Sequence, residues 1–133
     1  MIINDPKVLA ESRAEFDAYE QALVSNDVAA LDGFFAHSTE VIRYDGAENL
    51  YGYAAIQAFR AGRSPAGLAR TLEQTSITTY GDDLAMASTL FRRASSPGKI
   101  GRQMQTWVRL PQGWRVVAAH VSVIDDPDVK AGT

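Results

Sequence analysis

The early part of this chain repeats its apolar residues at helical spacing, and the later part alternates them as half-buried strands do. In NDPKVLAESRAEFDAYEQALVSND, Leu9, Phe16, Tyr19 and Leu23 mark one stripe. Asp5 can cap this helix, and Pro6 suits its first turn, where a missing N–H costs nothing. Asn26-Asp27 ends it and can cap a short second helix carrying Val28, Leu31, Phe34 and Phe35. TEVIRY then reads as a short strand, DGAEN as a turn and LYG as a brief return strand. YAAIQAFRAGR reverts to helix, with Ile56 and Phe59 on one face, and SPAG breaks it. From Leu68 onward LARTLEQTSITTY, LAMASTLFRR, GRQMQTWVRL and WRVVAAHVSVI read as four strands, separated by the turn sequences GDD, ASSPGK and PQG.

Hairpin turns favour antiparallel pairing, so the expected class is α+β: a four-strand meander and a short N-terminal hairpin packed against three helices. A long, curved antiparallel sheet with helices on one face makes a cone, and a cone with helical walls encloses a pocket. The 133 residues suit one domain, 1–133, with residues 125–133 as a short, frayed acidic tail. Apolar residues make up 46% and charged residues 22%, values ordinary for a soluble globular protein. With no cysteine, disulfides, thiolate nucleophiles and cysteine-containing zinc sites are excluded. A net charge of −3 gives no global attraction to nucleic acid. No apolar run reaches the length of a membrane span, and the N-terminus lacks a signal-type apolar core, so the expected location is cytoplasmic.

The phosphate-loop, dinucleotide, zinc-protease and serine-elbow motifs are all absent. His37 and His120 stand far apart with no ligand spacing, so neither a metal nor a cofactor is expected. Tyr19 lies in the apolar stripe of helix one, either as a core tyrosine or with its hydroxyl at a pocket rim. Arg43 shares a strand face with Val41, opposite Ile42 and Tyr44. If that face is inward, the guanidinium needs a carboxylate from the protein or a ligand; if outward, it snorkels. Alternation alone does not choose. Gln103, Gln105 and Trp107 share a face that could line a polar pocket, a solvated sheet or a dimer interface. Strict alternation in the last strand puts Trp114, Val116, Ala118, His120 and Ser122 on one face. Arg60, Arg63, Arg70, Arg92 and Arg93 read as solvated charge unless some converge with Arg43, where they would suit an anion with more than one carboxylate.

The segments YEQALVSNDVAALDGFFAHS, VIRYDGAENLYGYAAIQAFRAGR, GLARTLEQTSITTYG and GRQMQTWVRLPQGWRVVAAHVS together resemble the AtzH-like family, which also contains the HpxZ proteins of oxalurate catabolism. RY-x-x-x-ENLYG, GLAR and GRQ-x-QTW are the specific motifs; the W-R-V-V-x-x-H-x-S ending is common to the wider nuclear-transport-factor-two-like (NTF2-like, SnoaL-like) superfamily. The resemblance implies a cone-shaped barrel, a homodimer through the sheet, and a role in nitrogen-compound catabolism beside an amidase, as in hydrolysis of 1,3-dicarboxyurea to allophanate. It places the family's tyrosine at Tyr19 and its arginine at Arg43, facing inward. Ile42 is a mild departure from the family's VRY, and Asp45 stands where relatives usually have glycine. If Asp45 pairs with Arg43, the arginine's anion-binding role weakens.

The expected site is therefore Tyr19 and Arg43 as catalytic residues, with Arg60, Arg70, Gln105, Trp107, His120 and Ser122 binding a small anionic substrate. The competing expectation is a non-catalytic ligand-binding or accessory subunit of a neighbouring amidase. An isomerase-like activity lacks an obvious inward carboxylate base, apart from Asp45, Glu48 and Glu73.

Overall fold

The computed structural model describes residues 1–128. Three helices, α1 (Pro6–Val24), α2 (Val28–Phe34) and α3 (Tyr53–Ala61), cover one face of a six-stranded sheet. The strands are β1 (Ile42–Tyr44), β2 (Asn49–Tyr51), β3 (Thr71–Tyr80), β4 (Leu84–Arg92), β5 (Lys99–Leu110) and β6 (Gly113–Asp125), in the spatial order β2-β1-β6-β5-β4-β3. The sheet is curved and unclosed. Asp5 caps α1 by accepting from the amides of Lys7 (3.0 Å) and Val8 (3.4 Å), and Asp27 caps α2 through Ala30 (3.2 Å). The buried stripe of α1 starts at Val8 rather than Leu9, and runs through Phe16, Tyr19 and Leu23. None of the described helices is long and apolar enough to cross a membrane.

The meander is antiparallel throughout, but β1 joins β6 in parallel, pairing Arg43 with Ala119. The meander and the short hairpin are antiparallel as expected, and the parallel junction lies between them: no hairpin joins β1 to β6, so turn geometry does not dictate their relative direction. At the entry to α3, Gly52 adopts φ +87°, a left-handed conformation that favours glycine, and its amide donates to the Val41 carbonyl at 2.7 Å. This contact pins the hairpin against the segment that leads into β1.

The core lies between helices and sheet, around Phe16, Leu31, Phe35, Ile56, Trp107 and Val116. The inner face carries small residues at Ala85, Ala87 and Ala119, which leave room for long side chains from neighbouring positions. At the far end of β4, Phe91 faces Gly101 across the ladder. A Cβ at residue 101 would stand 2.0 Å from the Phe91 ring, so the ring lies flat on the sheet only because that residue is glycine. The tail expected from residue 125 is anchored at its start: Asp126 is buried, its amide donates to the Gly98 carbonyl (2.9 Å), and its carboxylate takes Arg92. The rest of that tail, 129–133, lies outside the described residues.

Gly101→Ala should displace the Phe91 ring and cost about 1–3 kcal/mol of stability. Urea unfolding measures this, and an unchanged midpoint would mean that the ring has no fixed seat.

Candidate functional site

Residues paired across the ladders share a face of the sheet, so one row traces the interior. Leu50, Arg43, Ala119, Gln105, Ala87 and Ile77 are successive partners from β2 to β3. Arg43 is thus carried inward, 7% exposed, beside the buried Val41, while Ile42 is 37% exposed on the opposite face with Tyr44. The Arg43 guanidinium sits 5.2 Å from the centroid of Phe59 on α3, a cation–π contact. Its Nη1 donates to Asp45 Oδ2 at 2.9 Å. Asp45 Oδ1 accepts from the amides of Ala47 (2.8 Å) and Glu48 (2.7 Å), closing the turn between β1 and β2. Burial pushes the Asp45 carboxyl up, but these amides and the Arg43 charge outweigh it and hold the group below its ordinary value. The residue that departs from the family pattern therefore does pair with Arg43, through one guanidinium nitrogen.

Tyr19, 3% exposed, comes from α1 with its ring edge-on to Phe34 (5.8 Å) and Trp107 (6.2 Å). Arg60, from the last turn of α3, is 1% exposed and stands over Phe35 at 4.8 Å. Its nearest carboxylate oxygen, Asp32 Oδ1, is 3.8 Å away, close enough for charge attraction but too far for a good hydrogen bond. Nε and Nη1 of Arg60 find no acceptor among the described residues. Burial pushes the Arg60 guanidinium below its ordinary range; the Tyr19 phenol opposes this, Arg43 adds to it, and Asp32 opposes it. Arg63 is shifted down by its own burial and by the charges of Arg60 and Arg43, again against Tyr19, with Arg93 adding a smaller push. Tyr19, Arg43, Arg60 and Arg63 therefore form one electrostatic neighbourhood.

A second group adjoins it. Arg70 grips Glu20 of α1 with two donors (3.0 and 2.6 Å), and its Nη2 also donates to Gln103 Oε1 at 2.9 Å. Arg70 and Arg93 both lie over the Phe91 ring, at 4.5 and 4.7 Å. Burial and the Arg70 charge push Arg93 down, and Glu20 opposes them. Gln105 is buried and accepts from the Trp107 indole N–H at 3.1 Å, so these two residues make an internal polar pair of the inner wall.

His120 and Ser122 do not join the site. One extra residue, Val117, interrupts the β5–β6 ladder: Trp107 pairs with Val116, but Thr106 pairs with Ala118. This bulge reverses the alternation. Trp114 and Val116 face in, as does Ala119, while His120 pairs with Tyr44 and Met104 on the outer face and Ser122 accepts from Arg102. Among the described residues no cluster of three His, Cys, Asp or Glu could hold a metal.

Glu20, Asp32, Arg63, Gln103 and Arg93 complete the interior and are not among the expected site residues, although the sequence offers Gln103 as a candidate pocket residue and Arg63 and Arg93 as candidate partners of Arg43. Two of them leave a signal in the sequence. Alternation counted on from the inward Phe91 puts Arg92 out and Arg93 in. Gln103 lies two residues from Gly101, on the same face as Gln105.

A model of the AtzH-like family matches residues 1–127. Among solved structures, a protein of unknown function of the DUF3225 family from Pectobacterium atrosepticum is 56% identical, covering 92% of this chain and 95% of that one at a TM-score of 0.90. A cystatin-like fold protein from Burkholderia xenovorans is 46% identical, covering 96% and 99% at a TM-score of 0.92. An NTF2-like protein of unknown function from Pseudomonas putida is 20% identical, covering 92% and 90% at 0.75, a likeness of fold alone. No curated protein matches the chain.

Asp45 is held below its ordinary value of 3.8, so its stabilising effect is complete above that pH and is lost as pH falls through the lower folded value. Asp45→Asn keeps an acceptor for the turn amides but loses the ion pair. It should be less stable than wild type near pH ~7, and the gap should narrow in acid, as pH falls below 3.8. Urea titrations at neutral and acid pH test this; a gap that persists in acid would place the effect elsewhere.

Proposed function

This chain belongs to the AtzH-like family, and from that membership and the geometry of its interior we propose that it removes an N-carboxyl group from a small dianionic urea, as in conversion of 1,3-dicarboxyurea to allophanate. The observation that carries this reading is an imbalance of charge. Five guanidiniums, those of Arg43, Arg60, Arg63, Arg70 and Arg93, gather against three carboxylates, those of Asp45, Asp32 and Glu20. A guanidinium keeps its proton at any ordinary pH, so an unfavourable setting expresses itself as affinity for an anion. A dicarboxylated urea is flat, doubly negative and rich in acceptors. Oxalurate and other urea-derived acids share part of that chemistry.

In this mechanism Arg43 and Arg60 hold the carboxylate that the substrate keeps, fixing the molecule in register. The bond between nitrogen and the departing carboxyl carbon breaks, and its electron pair passes to nitrogen. That nitrogen takes the Tyr19 hydroxyl proton, and the carboxyl group leaves as carbon dioxide, which water hydrates to bicarbonate. Arg60 and Arg63, whose charges interact with the Tyr19 phenol, stabilise the phenolate until water reprotonates it. Asp45 narrows the role of Arg43 without ending it, because its carboxylate engages one guanidinium nitrogen.

We further propose that the chain is a homodimer through the outer face of the sheet, where Met104 is 53% exposed beside Ile42, Tyr44 and His120. Met104→Glu should then convert the dimer to monomer in light scattering; a wild type that is already monomeric overturns the idea.

The catalytic reading is tested by turnover of 1,3-dicarboxyurea, with oxalurate as comparison. Tyr19→Phe, which keeps the ring packing, and Arg43→Ala should each lose about 100-fold or more. Full rates in both folded variants would sink the mechanism. Tight binding without turnover, together with co-purification of an amidase, would replace it with the accessory-subunit reading.

A further inference from the structure

We propose that Arg93 and Gln103, set beside Arg70 at the Phe91 ring, form a second carboxylate-binding subsite, which takes the far end of a dicarboxylate held by Arg43 and Arg60. This rests on the anion-binding reading of the interior given above and names the residues that would distinguish a dianion from a monoanion.

With no side chain at Gly101, Phe91 lies flat and offers its ring to two guanidiniums. Nε and Nη2 of Arg70 are engaged by Glu20 and Gln103, which fixes the guanidinium in place as a post. That post settles the orientation of the Gln103 amide. Arg70 can only donate, so the Gln103 atom facing it is the oxygen, and Nε2 must donate in another direction. Gln103 is buried, and its Nε2 has no acceptor among the described residues; neither has Arg93 Nε. Both donors belong to side chains that border Arg70, and Glu20, the carboxylate beside them, is bound by Arg70. A cationic and a neutral donor with no free acceptor between them select an acceptor-only group, and a carboxylate fits that description.

The subsite also has a connection to solvent and to the first site. A small hollow lined by Phe91, Arg93, Ser96, Lys99 and Gly101 opens next to it. Arg63 feels the charge of Arg93 as well as those of Arg60 and Arg43, so the two groups share one electrostatic field. In this proposal a short dicarboxylate engages Arg43 and Arg60 at one end and Arg93 and Gln103 at the other.

Calorimetric titration with glutarate and butyrate tests this directly, since glutarate separates its carboxylates by the same number of atoms as dicarboxylated urea and is chemically stable. The wild type should prefer glutarate. Gln103→Glu keeps the acceptor for Arg70 but replaces the free donor with negative charge, so it should fold normally and lose about ten-fold or more of that preference. Arg93→Gln should lose a similar factor. If either folded variant keeps the wild-type preference, the subsite is wrong while the Tyr19–Arg43 reading stands. If the wild type binds neither anion, both fall. If glutarate binds with the expected dependence but dicarboxyurea is not turned over, the subsite stands and the hydrolytic reading falls.

Discussion

The interior is organised around cations that cannot shed their charge. Arg60 is almost wholly enclosed, yet its nearest carboxylate remains at 3.8 Å. Burying such a group is costly unless several weaker interactions compensate. Here these are aromatic faces and shared carboxylates: Phe35 under Arg60, Phe59 under Arg43, Phe91 under Arg70 and Arg93. The rings come from both layers, Phe35 and Phe59 from the helical side and Phe91 from the sheet. Packing the helices onto the sheet and neutralising the interior are thus a single process, and neither can be altered without the other.

The carboxylates are placed unevenly around these cations. Asp45 and Glu20 lock Arg43 and Arg70 through short hydrogen bonds, fixing where those guanidiniums point. Asp32 is distant from Arg60, and Arg63 and Arg93 retain donors without partners among the described residues. Some arginines therefore serve as framework and others as unsatisfied donors. Three carboxylates leave a surplus of positive charge that surface residues, screened by water and salt, could not neutralise from outside.

Much of this was legible in the sequence. The caps at Asp5 and Asp27, the three helices and the four-strand run followed from periodicity and turn chemistry, because those signals are local. The inward turn of Arg43 did not follow from alternation, since both faces of a three-residue strand are chemically plausible; the resemblance to a family supplied the direction. The parallel docking of β1 on β6 was hidden because no turn connects the two strands. His120 and Ser122 were misplaced because a bulge at Val117 leaves no mark in the pattern of apolar and polar residues. Arg93 was readable by counting from Phe91, but a charged residue at a strand end resembles solvated surface.

The bulge in β6 has a broader meaning. The extra residue works as a reading-frame shift written into the backbone: before it one parity of positions faces the helices, and after it the other does. Removing Val117 would leave almost every side chain of the strand intact, yet would exchange the inner and outer assignments of everything downstream. The strand can therefore vary its two ends independently, and comparisons of proteins with this architecture must be aligned through the bulge before inward and outward residues are equated.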